Sequence, residues 1–364
     1  MRVCFITSEI FKWGVYGGFG MLTRTIGRNL VKRGVEVYVL VVHYRALKPP
    51  NKVTKLDGMT VISLPSSFNF SSYKAVDVDV CHSEEPSVAT YFAEKLNPSK
   101  KHIVTFQDPM YVEELKKSQW SFDPRWRSIY HRTLTEARWR AGSLLVNKAV
   151  RGADALFSQA KYIIPKITSM FKLKEPPKFL PNPVKIPRRR IEKADVPTVC
   201  FLGRWDSVKR VELFFDLARK FSNVEFVALG KAHSQERDSY LRKSYEELPN
   251  LKLPGFVSEE EKSQILERSW ILINTSIREC LPVSFLEAAA HDCAILSCNN
   301  PDNFAKDFGY YVTDGDFNKG LDFLLQENRW KERGRKAGHY VRETHALDKV
   351  IEEHIEVYKS IIER

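Results

Sequence analysis

The amino-acid sequence predicts an α/β protein with two doubly wound domains. Two observations support this prediction: a strand, loop, helix and strand open the chain, and the same order returns beyond its middle. A third is a proline-rich, charged stretch between the two openings, which is typical of a linker between domains. At 364 residues the chain is long enough for two domains that each bury a core.

The first opening begins with an apolar strand at Arg2–Thr7 and continues through a glycine-rich loop at residues 14–20. Apolar residues then recur at helical spacing over residues 21–31, and Gly34 is placed to end that helix. Residues 35–42 form a nearly continuous apolar run, which is typical of a strand buried on both faces of a parallel sheet. Together these segments predict one complete β-α-β unit.

The second opening repeats the pattern, with a strand, a loop, a helix and a strand at residues 198–202, 203–209, 211–221 and 224–229. Farther along we expect a short strand at residues 271–274 and a helix at residues 282–291. Pro282 suits the first turn of that helix because its missing N–H costs nothing there. A last helix is predicted at residues 347–362.

The first half also contains a predicted strand at residues 103–106 and a long predicted helix at residues 125–149. The helix carries aromatic and basic residues along its length. Two interpretations of it remain open. It is either a core-facing helix with a solvated basic face, or a basic and aromatic surface that leans on anionic lipid.

The composition excludes several classes of protein. With 43% hydrophobic and 28% charged residues the chain is neither disordered nor fibrous. No apolar run approaches the roughly 18 residues that cross a bilayer, and the first residues lack the apolar core of a signal peptide. The six cysteines are scattered without a zinc-ligand spacing, so we expect reduced core thiols in a cytoplasmic protein.

The net charge of +12 is unevenly distributed. Residues 1–187 carry 29 Lys and Arg against 15 Asp and Glu, an excess of 14 positive charges, whereas the remainder carries 28 against 30. A one-sided positive field attracts anionic partners such as nucleic acid, an anionic membrane surface or a phosphorylated acceptor.

Three predicted loops follow strands, where the carboxyl edge of a parallel sheet forms a ligand crevice. In the first, Gly17, Gly18 and Gly20 leave room for backbone N–H groups to approach an anion, although a glycine-rich turn alone is weak evidence. In the second, Arg204 follows a strand and Lys209 opens the next helix, an arrangement that suits a diphosphate. No P-loop pattern is present.

A third loop contains Glu279, and Glu287 follows eight residues later inside the predicted helix. This spacing can send both carboxylates into one crevice. Leu281, Pro282 and Val283 at the start of that helix are then candidate contacts for a phosphate, through the helix N-terminus. For either glutamate alone, a purely structural role is the simpler interpretation.

With these three loops in this order, the chain resembles the retaining, nucleotide-sugar-dependent glycosyltransferases of family four over nearly its whole length. That family has the GT-B architecture of two facing Rossmann-like domains. Gly17, Gly18 and Gly20 resemble its Gly-Gly-x-Gly element beside the donor diphosphate, and Arg204 and Lys209 resemble its diphosphate-binding Gly-Arg-x(4)-Lys pair. Glu279 and Glu287 resemble its E-x(7)-E signature, which implies one contact near the sugar and one to the ribose. Weaker similarities are at residues 82–86, 154–159 and 180–184.

Gln107 departs from this pattern because it stands where the family usually has a histidine that contacts the donor sugar. Gln can donate and accept hydrogen bonds but cannot carry charge. The resemblance therefore implies Glu279 and Gln107 as the residues near the reaction centre. It also leaves open a protein that binds a nucleotide sugar without transferring it.

The resemblance implies a metal-independent hexosyltransferase with no cofactor, using a nucleoside diphosphate sugar as co-substrate. It implies an acceptor-side domain at residues 1–183, completed by the last helix at about 350–364, and a nucleotide-sugar-binding domain at residues 184–349. The basic first half favours a sugar or lipid-linked anionic acceptor and peripheral contact with the inner face of a membrane. A nucleic-acid-binding protein is the remaining alternative, but no RRM, KH or zinc-finger pattern supports it.

Overall fold

The computed structural model describes residues 1–11, 17–42, 53–64, 66–120 and 129–364. They form two compact units, one of Met1–Pro183 with Asp348–Arg364 and one of Val184–Leu347. Each unit is built on a largely parallel sheet with helices along the chain between its strands. The predicted α/β class with two doubly wound domains is confirmed.

The described strands of the first unit form one sheet in the order β3-β4-β2-β1-β5-β6-β7-β8. Their bounds are β1 Arg2–Thr7, β2 Glu36–Val42, β3 Val53–Leu56, β4 Met59–Leu64, β5 Val80–Glu84, β6 Lys101–Phe106, β7 Ala155–Ser158 and β8 Lys178–Phe179. All pairings are parallel except that of β3 with β4. Strand β1 lies between β2 and β5, so the order reverses there, and such a switch point places a ligand crevice at the carboxyl edge.

Apart from the last helix of the chain, the described helices of the first unit lie between these strands along the chain. They are α1 Gly18–Val31, α2 Phe70–Lys74, α3 Val88–Leu96, α4 Val112–Trp120, α5 Ile129–Gly152 and α6 Ile164–Phe171. Helix α5 corresponds to the long helix predicted at residues 125–149, but it ends three residues later, at Gly152. Residues 125–128 of that prediction, and residues 14–16 of the predicted glycine-rich loop, lie outside the described residues.

The described strands of the second unit form a wholly parallel sheet in the order β11-β10-β9-β12-β13-β14. Their bounds are β9 Thr198–Leu202, β10 Glu225–Leu229, β11 Leu251–Gly255, β12 Ile271–Asn274, β13 Ala294–Ser297 and β14 Gly309–Tyr311. The order reverses at β9, which lies between β10 and β12. The loops after β9 and β12 therefore flank the switch point of this sheet.

The helices that follow in the chain are α7 Val211–Lys220, α8 Gln235–Ser244, α9 Glu259–Arg268, α10 Val283–Ala290, α11 Phe304–Phe308, α12 Phe317–Leu325, α13 Arg329–Thr344 and α14 Leu347–Ile362. Pro282 is the N-cap of α10 and precedes its first turn. The core of the second unit combines apolar strand residues with the apolar face of α7, including the fully buried Phe214 and Phe215.

Helix α14 belongs to the first unit by its contacts, although it follows the second unit in the chain. Its Tyr358 hydroxyl lies 2.8 Å from Nδ1 of His82 in β5, and both side chains are buried. Arg33, just beyond α1, pairs with Asp348 at 2.7 Å and with Glu352 at 2.6 Å.

All six cysteines are free thiols, five of them buried and Cys298 half-buried. None of the described helices has both the length and the apolar character that a membrane span requires.

Candidate functional site

The loop after β9 is held in place by a close backbone contact. The N–H of Gly203 donates to the carbonyl of Leu229 at 3.2 Å, and Gly230 follows with φ +115°. A Cβ on Gly230 would lie 2.0 Å from the carbonyl oxygen of Gly203. Only glycine fits here, so the two loops at the carboxyl edge of β9 and β10 are fixed against each other.

Lys209 and Glu279 form an ion pair at this edge of the sheet. The Nζ of Lys209 lies 2.6 Å from Oε1 of Glu279, and the two side chains are 23% and 11% exposed. Asn274 donates to the same oxygen at 3.1 Å, and the Glu279 amide donates to Asn299 at 3.1 Å. The structure thus joins one predicted residue from the second loop to one from the third.

Arg210 fastens those two loops together. Its Nε donates to the carbonyl of Thr275 at 2.7 Å, and the Thr275 hydroxyl donates to the carbonyls of Lys209 and Arg210 at 2.7 and 2.9 Å. Arg210 has φ +48°, an uncommon conformation for a residue with a Cβ. The sequence interpretation missed Arg210, because its partner is a backbone group more than 60 residues away.

Arg204 faces a different set of partners. Its Nη1 lies 2.9 Å from Nε2 of His233, and its Nε lies 3.3 Å from Asp206. Because a guanidinium only donates hydrogen bonds, Nε2 of His233 is the acceptor in this contact. His233 follows β10 on the same edge of the sheet, and the sequence interpretation missed it.

Glu287 does not meet Lys209 but pairs with Lys262 of α9 at 2.6 Å. Burial raises the pKa of Glu287 above its ordinary value, and the charge of Lys262 offsets part of this effect. Lys262 also pairs with Glu259 at 2.8 Å. The two glutamates of the predicted pair thus have separate cationic partners, and the sequence interpretation missed Lys262.

The start of α10 lies between these two glutamates in the chain. Leu281 is buried, and Pro282 and Val283 are half-buried. Contacts of Leu281 and Pro282 with a ligand would therefore come from backbone groups or small apolar surfaces. No side chain caps the helix, and its first-turn N–H groups point along the axis away from the helix body.

In the first unit, α1 begins at Gly18 with Gly17 as its N-cap, and Gly20 is buried in its first turn. The Gly17 amide donates to the carboxylate of Glu9 at 2.7 Å. An internal carboxylate thus already contacts the glycine element that the sequence assigns to an anion. Glu9 is a further residue that the sequence interpretation missed.

Gln107 lies just beyond β6 in a network of amide groups. Its Nε2 donates to Oδ1 of Asn182 at 3.2 Å, and Nδ2 of Asn182 donates back to Oε1 of Gln107 at 2.9 Å. Gln159 donates to the Gln107 carbonyl at 3.0 Å. Glu85, with φ +106°, accepts from the amides of Gln107 and Asp108, both at 2.7 Å. The three weaker family similarities therefore converge on Gln107.

A buried polar chain lies beside this network. His82 bridges the Tyr358 hydroxyl and the Thr105 hydroxyl, at 2.8 and 2.7 Å. Burial lowers the pKa of His82 well below its usual value. The hydroxyl of Thr23 donates to Glu84 at 2.6 Å, while burial raises the pKa of Glu84 to about 7. Among the described residues, no group of His, Cys, Asp and Glu is placed to hold a metal ion.

Residues 185–338 match the family model of glycosyl transferases group 1, and residues 2–137 match that of the starch synthase catalytic domain. No curated protein matches the sequence. The two family matches together support a glycosyltransferase.

Solved structures match over nearly the entire chain. Sucrose-phosphate synthase from Thermosynechococcus elongatus is 12% identical, with 99% of each chain covered and a TM-score of 0.72. Anabaena HepE in complex with UDP-glucose is 12% identical, with 99% and 100% covered and a TM-score of 0.68. Starch synthase IV of Arabidopsis thaliana, bound to ADP and acarbose, is 13% identical, with 100% and 99% covered and a TM-score of 0.63.

The protein has the GT-B glycosyltransferase fold. In this fold the group 1 family match covers the second unit, where Arg204, Lys209, Glu279 and Glu287 lie, and the starch synthase match covers the part of the first unit that includes Gly17 and Gln107.

Proposed function

We propose that this protein is a retaining glycosyltransferase that moves a sugar from a nucleoside diphosphate sugar to an acceptor. The observation that carries the proposal is the Lys209–Glu279 pair at the switch point of the second sheet. A cation for a diphosphate and a carboxylate for sugar hydroxyls lie side by side, on loops that Arg210 fastens together. The group 1 family match over this unit and the solved relatives with UDP-glucose and ADP support it.

The chemistry proposed for this site is mainly electrostatic. As the bond from the sugar to the diphosphate breaks, negative charge develops on the departing oxygen, and Lys209 and Arg204 stabilise it. At the N-terminal end of α10, the backbone N–H groups of Leu281 and Val283 add donors, and Pro282 has none. Glu279 holds sugar hydroxyls, and we expect the donor diphosphate to compete with Glu279 for Lys209 when it binds.

In the first unit, Gly17, Gly18 and Gly20 are proposed to lie beside the diphosphate, and Gln107 beside the sugar. Glu287 is proposed to accept hydrogen bonds from the donor ribose. No metal or cofactor is expected, because cationic side chains provide the charge compensation.

The donor is tested by thermal shift in EDTA with UDP, GDP, ADP, their nucleosides and their sugar conjugates. A ligand at 100 times its Kd adds about 2.7 kcal/mol of stability. We expect one base to stabilise the protein and Glu287→Ala to weaken that effect. The matched control is Glu260→Ala, an exposed carboxylate of α9. No response to any nucleotide, or an unchanged response in Glu287→Ala, would contradict the respective part of the proposal.

The diphosphate contact is tested with Lys209→Gln. This variant should lose most of the difference in affinity between the nucleoside diphosphate and the nucleoside, while its affinity for the nucleoside stays unchanged. The exposed Lys243 of α8 provides the control Lys243→Gln. Equal losses for both ligands would show that Lys209 acts through the fold.

Retention and transfer are tested by NMR of the anomeric proton in the product. If only free sugar is released, or if no product forms at saturating donor, the result would favour a protein that binds nucleotide sugars without transferring them to an acceptor. The observation that favours this second function is Gln107, whose amide group is engaged with Asn182 and cannot carry the charge of a histidine. Gln107→His with restored transfer would assign the loss to this residue.

The acceptor is proposed to be anionic, such as a lipid-linked phosphate, because the positive excess lies in residues 1–187. Peripheral attachment to the inner face of a membrane follows from that proposal. In co-sedimentation at low salt, the protein should prefer vesicles with phosphatidylglycerol over phosphatidylcholine alone. Equal binding to both would refute the membrane contact.

A further inference from the structure

A cavity of about 500 Å³ lies at the amino edge of the second sheet. It is lined by the segment of residues 190–194 before β9, by Asp292 before β13 and by the first turns of α13. All strands of this sheet are parallel, so the cavity is at the end opposite the loops with Lys209 and Glu279. A volume of this size is in the range of small-molecule sites.

The cavity is unusually cationic. Four of its eight lining residues are Arg190, Lys193, Lys331 and Arg335, against the single carboxylate of Asp292. Asp292 is itself paired with Arg342 at 3.0 Å. The carboxylate therefore offsets little of the positive charge.

The side chain of Lys193 is engaged in hydrogen bonds within the protein. Its Nζ donates to the carbonyl of Ser269, to the carbonyl of His291 at 2.6 Å and to the sulfur of Cys293 at 3.4 Å. These three acceptors use its three protons. The charge remains, but the donors available to a ligand must come from the other three cations.

The side chains of Arg190, Lys331 and Arg335 are exposed, and they have no hydrogen-bond or ion-pair partner within the described ranges. Their neighbours differ in this respect. Arg189 pairs with Glu267, and Lys336 pairs with Glu332 at 2.6 Å. Arg189 and Lys336 thus have carboxylate partners, and Arg333 of α13 donates to the carbonyls of Lys306 and Asp307, whereas the side chains of Arg190, Lys331 and Arg335 have neither.

Lys331 and Arg335 are also four residues apart on α13, which places like charges side by side on one face of the helix. Such a pair is destabilising unless an anion lies between or near the two charges. The buried indole N–H of Trp330, another lining residue, has no acceptor among the described atoms. That nitrogen is closed off from solvent, so the donors that the cavity offers to a ligand are those of Arg190, Lys331 and Arg335.

We propose that this cavity binds the phosphate group of a small soluble phosphorylated compound, at a second site separate from the proposed donor site. Arg190 and Arg335 provide guanidinium groups that match phosphate oxygens, and Lys331 adds a point charge. The limited volume favours a small solute over a macromolecule.

The test is calorimetric titration of the whole protein with inorganic phosphate and with a hexose phosphate, at constant ionic strength. The cavity variant is Lys331→Gln with Arg335→Gln. The control variant is Lys174→Gln with Lys243→Gln, which removes the same charge from two exposed lysines outside the cavity. A third variant, Lys209→Gln, reports binding at the donor site.

We expect the cavity variant to bind about tenfold more weakly or worse, and the control and Lys209→Gln to bind as the wild type does. Arg335→Lys alone should lose less affinity than the cavity variant, because it keeps the charge but not the paired donors of the guanidinium. No binding of either phosphate compound, an unchanged cavity variant, or loss in Lys209→Gln would overturn the proposal. Binding seen only with phosphatidylglycerol vesicles and lost in the cavity variant would also overturn it, since the ligand would then be a lipid headgroup.

Discussion

Glu84 ends β5 with a carboxyl group that is fully buried. Thr23 donates to one of its oxygens, and the other has no partner among the described residues. Burial raises its pKa to about 7, so the folded protein holds a proton that the unfolded chain releases near pH 4.5. The stability that this proton contributes is complete below about pH 4.5 and is lost as the pH rises through about 7.

We therefore predict that Glu84→Gln removes this loss and is more stable than the wild type above pH 7, by about 3 kcal/mol. Urea unfolding at pH 5 and pH 8 measures it. The buried His82 and His354 titrate in the opposite sense, but they are present in both proteins and largely cancel in the difference. If the gap between pH 5 and pH 8 is as large in Glu84→Gln as in the wild type, the buried proton is not held by Glu84.

A second prediction at this scale concerns Gly230. An alanine there would combine a positive φ with a Cβ only 2.0 Å from the Gly203 carbonyl oxygen. Gly34 is a natural control, because it has φ +79° but open space around its Cα. We expect Gly34→Ala to cost about 1 kcal/mol and Gly230→Ala about 3 kcal/mol or more in urea unfolding. Equal costs would mean that the backbone of the second unit moves to relieve the clash.

The residues of the candidate site were only partly predictable. Lys209 and Glu279 could be picked out because each stands beside a strand or helix boundary with a recognisable spacing. Their partners Asn274 and Asn299, and the Arg210 contact to Thr275, could not, because those contacts join distant segments. Nothing local in a sequence encodes the residue that a folded loop will meet.

Helices α9 and α10 are joined by one ion pair. Helix α9 begins with a capping box in which Ser258 and Glu261 bond reciprocally, and the next residue, Lys262, reaches Glu287. The Lys262 side chain is 14% exposed and that of Glu287 20%. The helix cap thus fixes the position of the cation that holds Glu287.

We predict that Lys262→Met lowers stability by about 2 kcal/mol, because it leaves a largely buried carboxylate without its cation. The loss should be greater at pH 8 than at pH 5, since burial raises the pKa of Glu287 further once Lys262 no longer offsets it. Unfolding in urea at both pH values is the measurement. Lys262→Arg should be nearly neutral, and Glu287→Gln in the Lys262→Met background should recover much of the loss. A loss of stability that is the same at both pH values would indicate that Lys262 contributes through the packing of its aliphatic stem and not through its charge.

At the scale of elements, the sequence pattern predicted strands well where an apolar run was continuous, as at β2 and β9. It did not identify the hairpin of β3 and β4, although its Asp57-Gly58 turn has the positive φ angles typical of a two-residue loop. The surrounding strands are mixed in polarity and give a weak alternation. The Asp57-Gly58 dipeptide was the sequence signal that could have identified this hairpin.

The first unit is discontinuous in the chain, because α14 completes it after the second unit has been traversed. Tyr358 bonds His82, and apolar residues of α14 are buried. We predict that a fragment of residues 184–347 folds cooperatively alone, whereas residues 1–183 do not. Chemical unfolding followed by circular dichroism, with two-dimensional NMR, distinguishes the two outcomes.

Tyr358→Phe in the full chain is the milder test of the same dependence. It leaves Nδ1 of the buried His82 without its partner and should cost about 1 to 3 kcal/mol. The control is Tyr240→Phe, an exposed tyrosine of α8. Cooperative unfolding of residues 1–183 would show that the last helix is dispensable, and a neutral Tyr358→Phe would show that the Tyr358–His82 hydrogen bond does not contribute to the dependence.

The position of α14 has a consequence for synthesis on the ribosome. At about 5 to 20 residues per second, the segment between Pro183 and α14 takes on the order of ten seconds to half a minute to translate. During that interval all strands of the first unit have been synthesised, but its last helix, α14, has not. Its exposed apolar surface is then a natural client for chaperones, and slow codons in the second half of the message would lengthen that exposure.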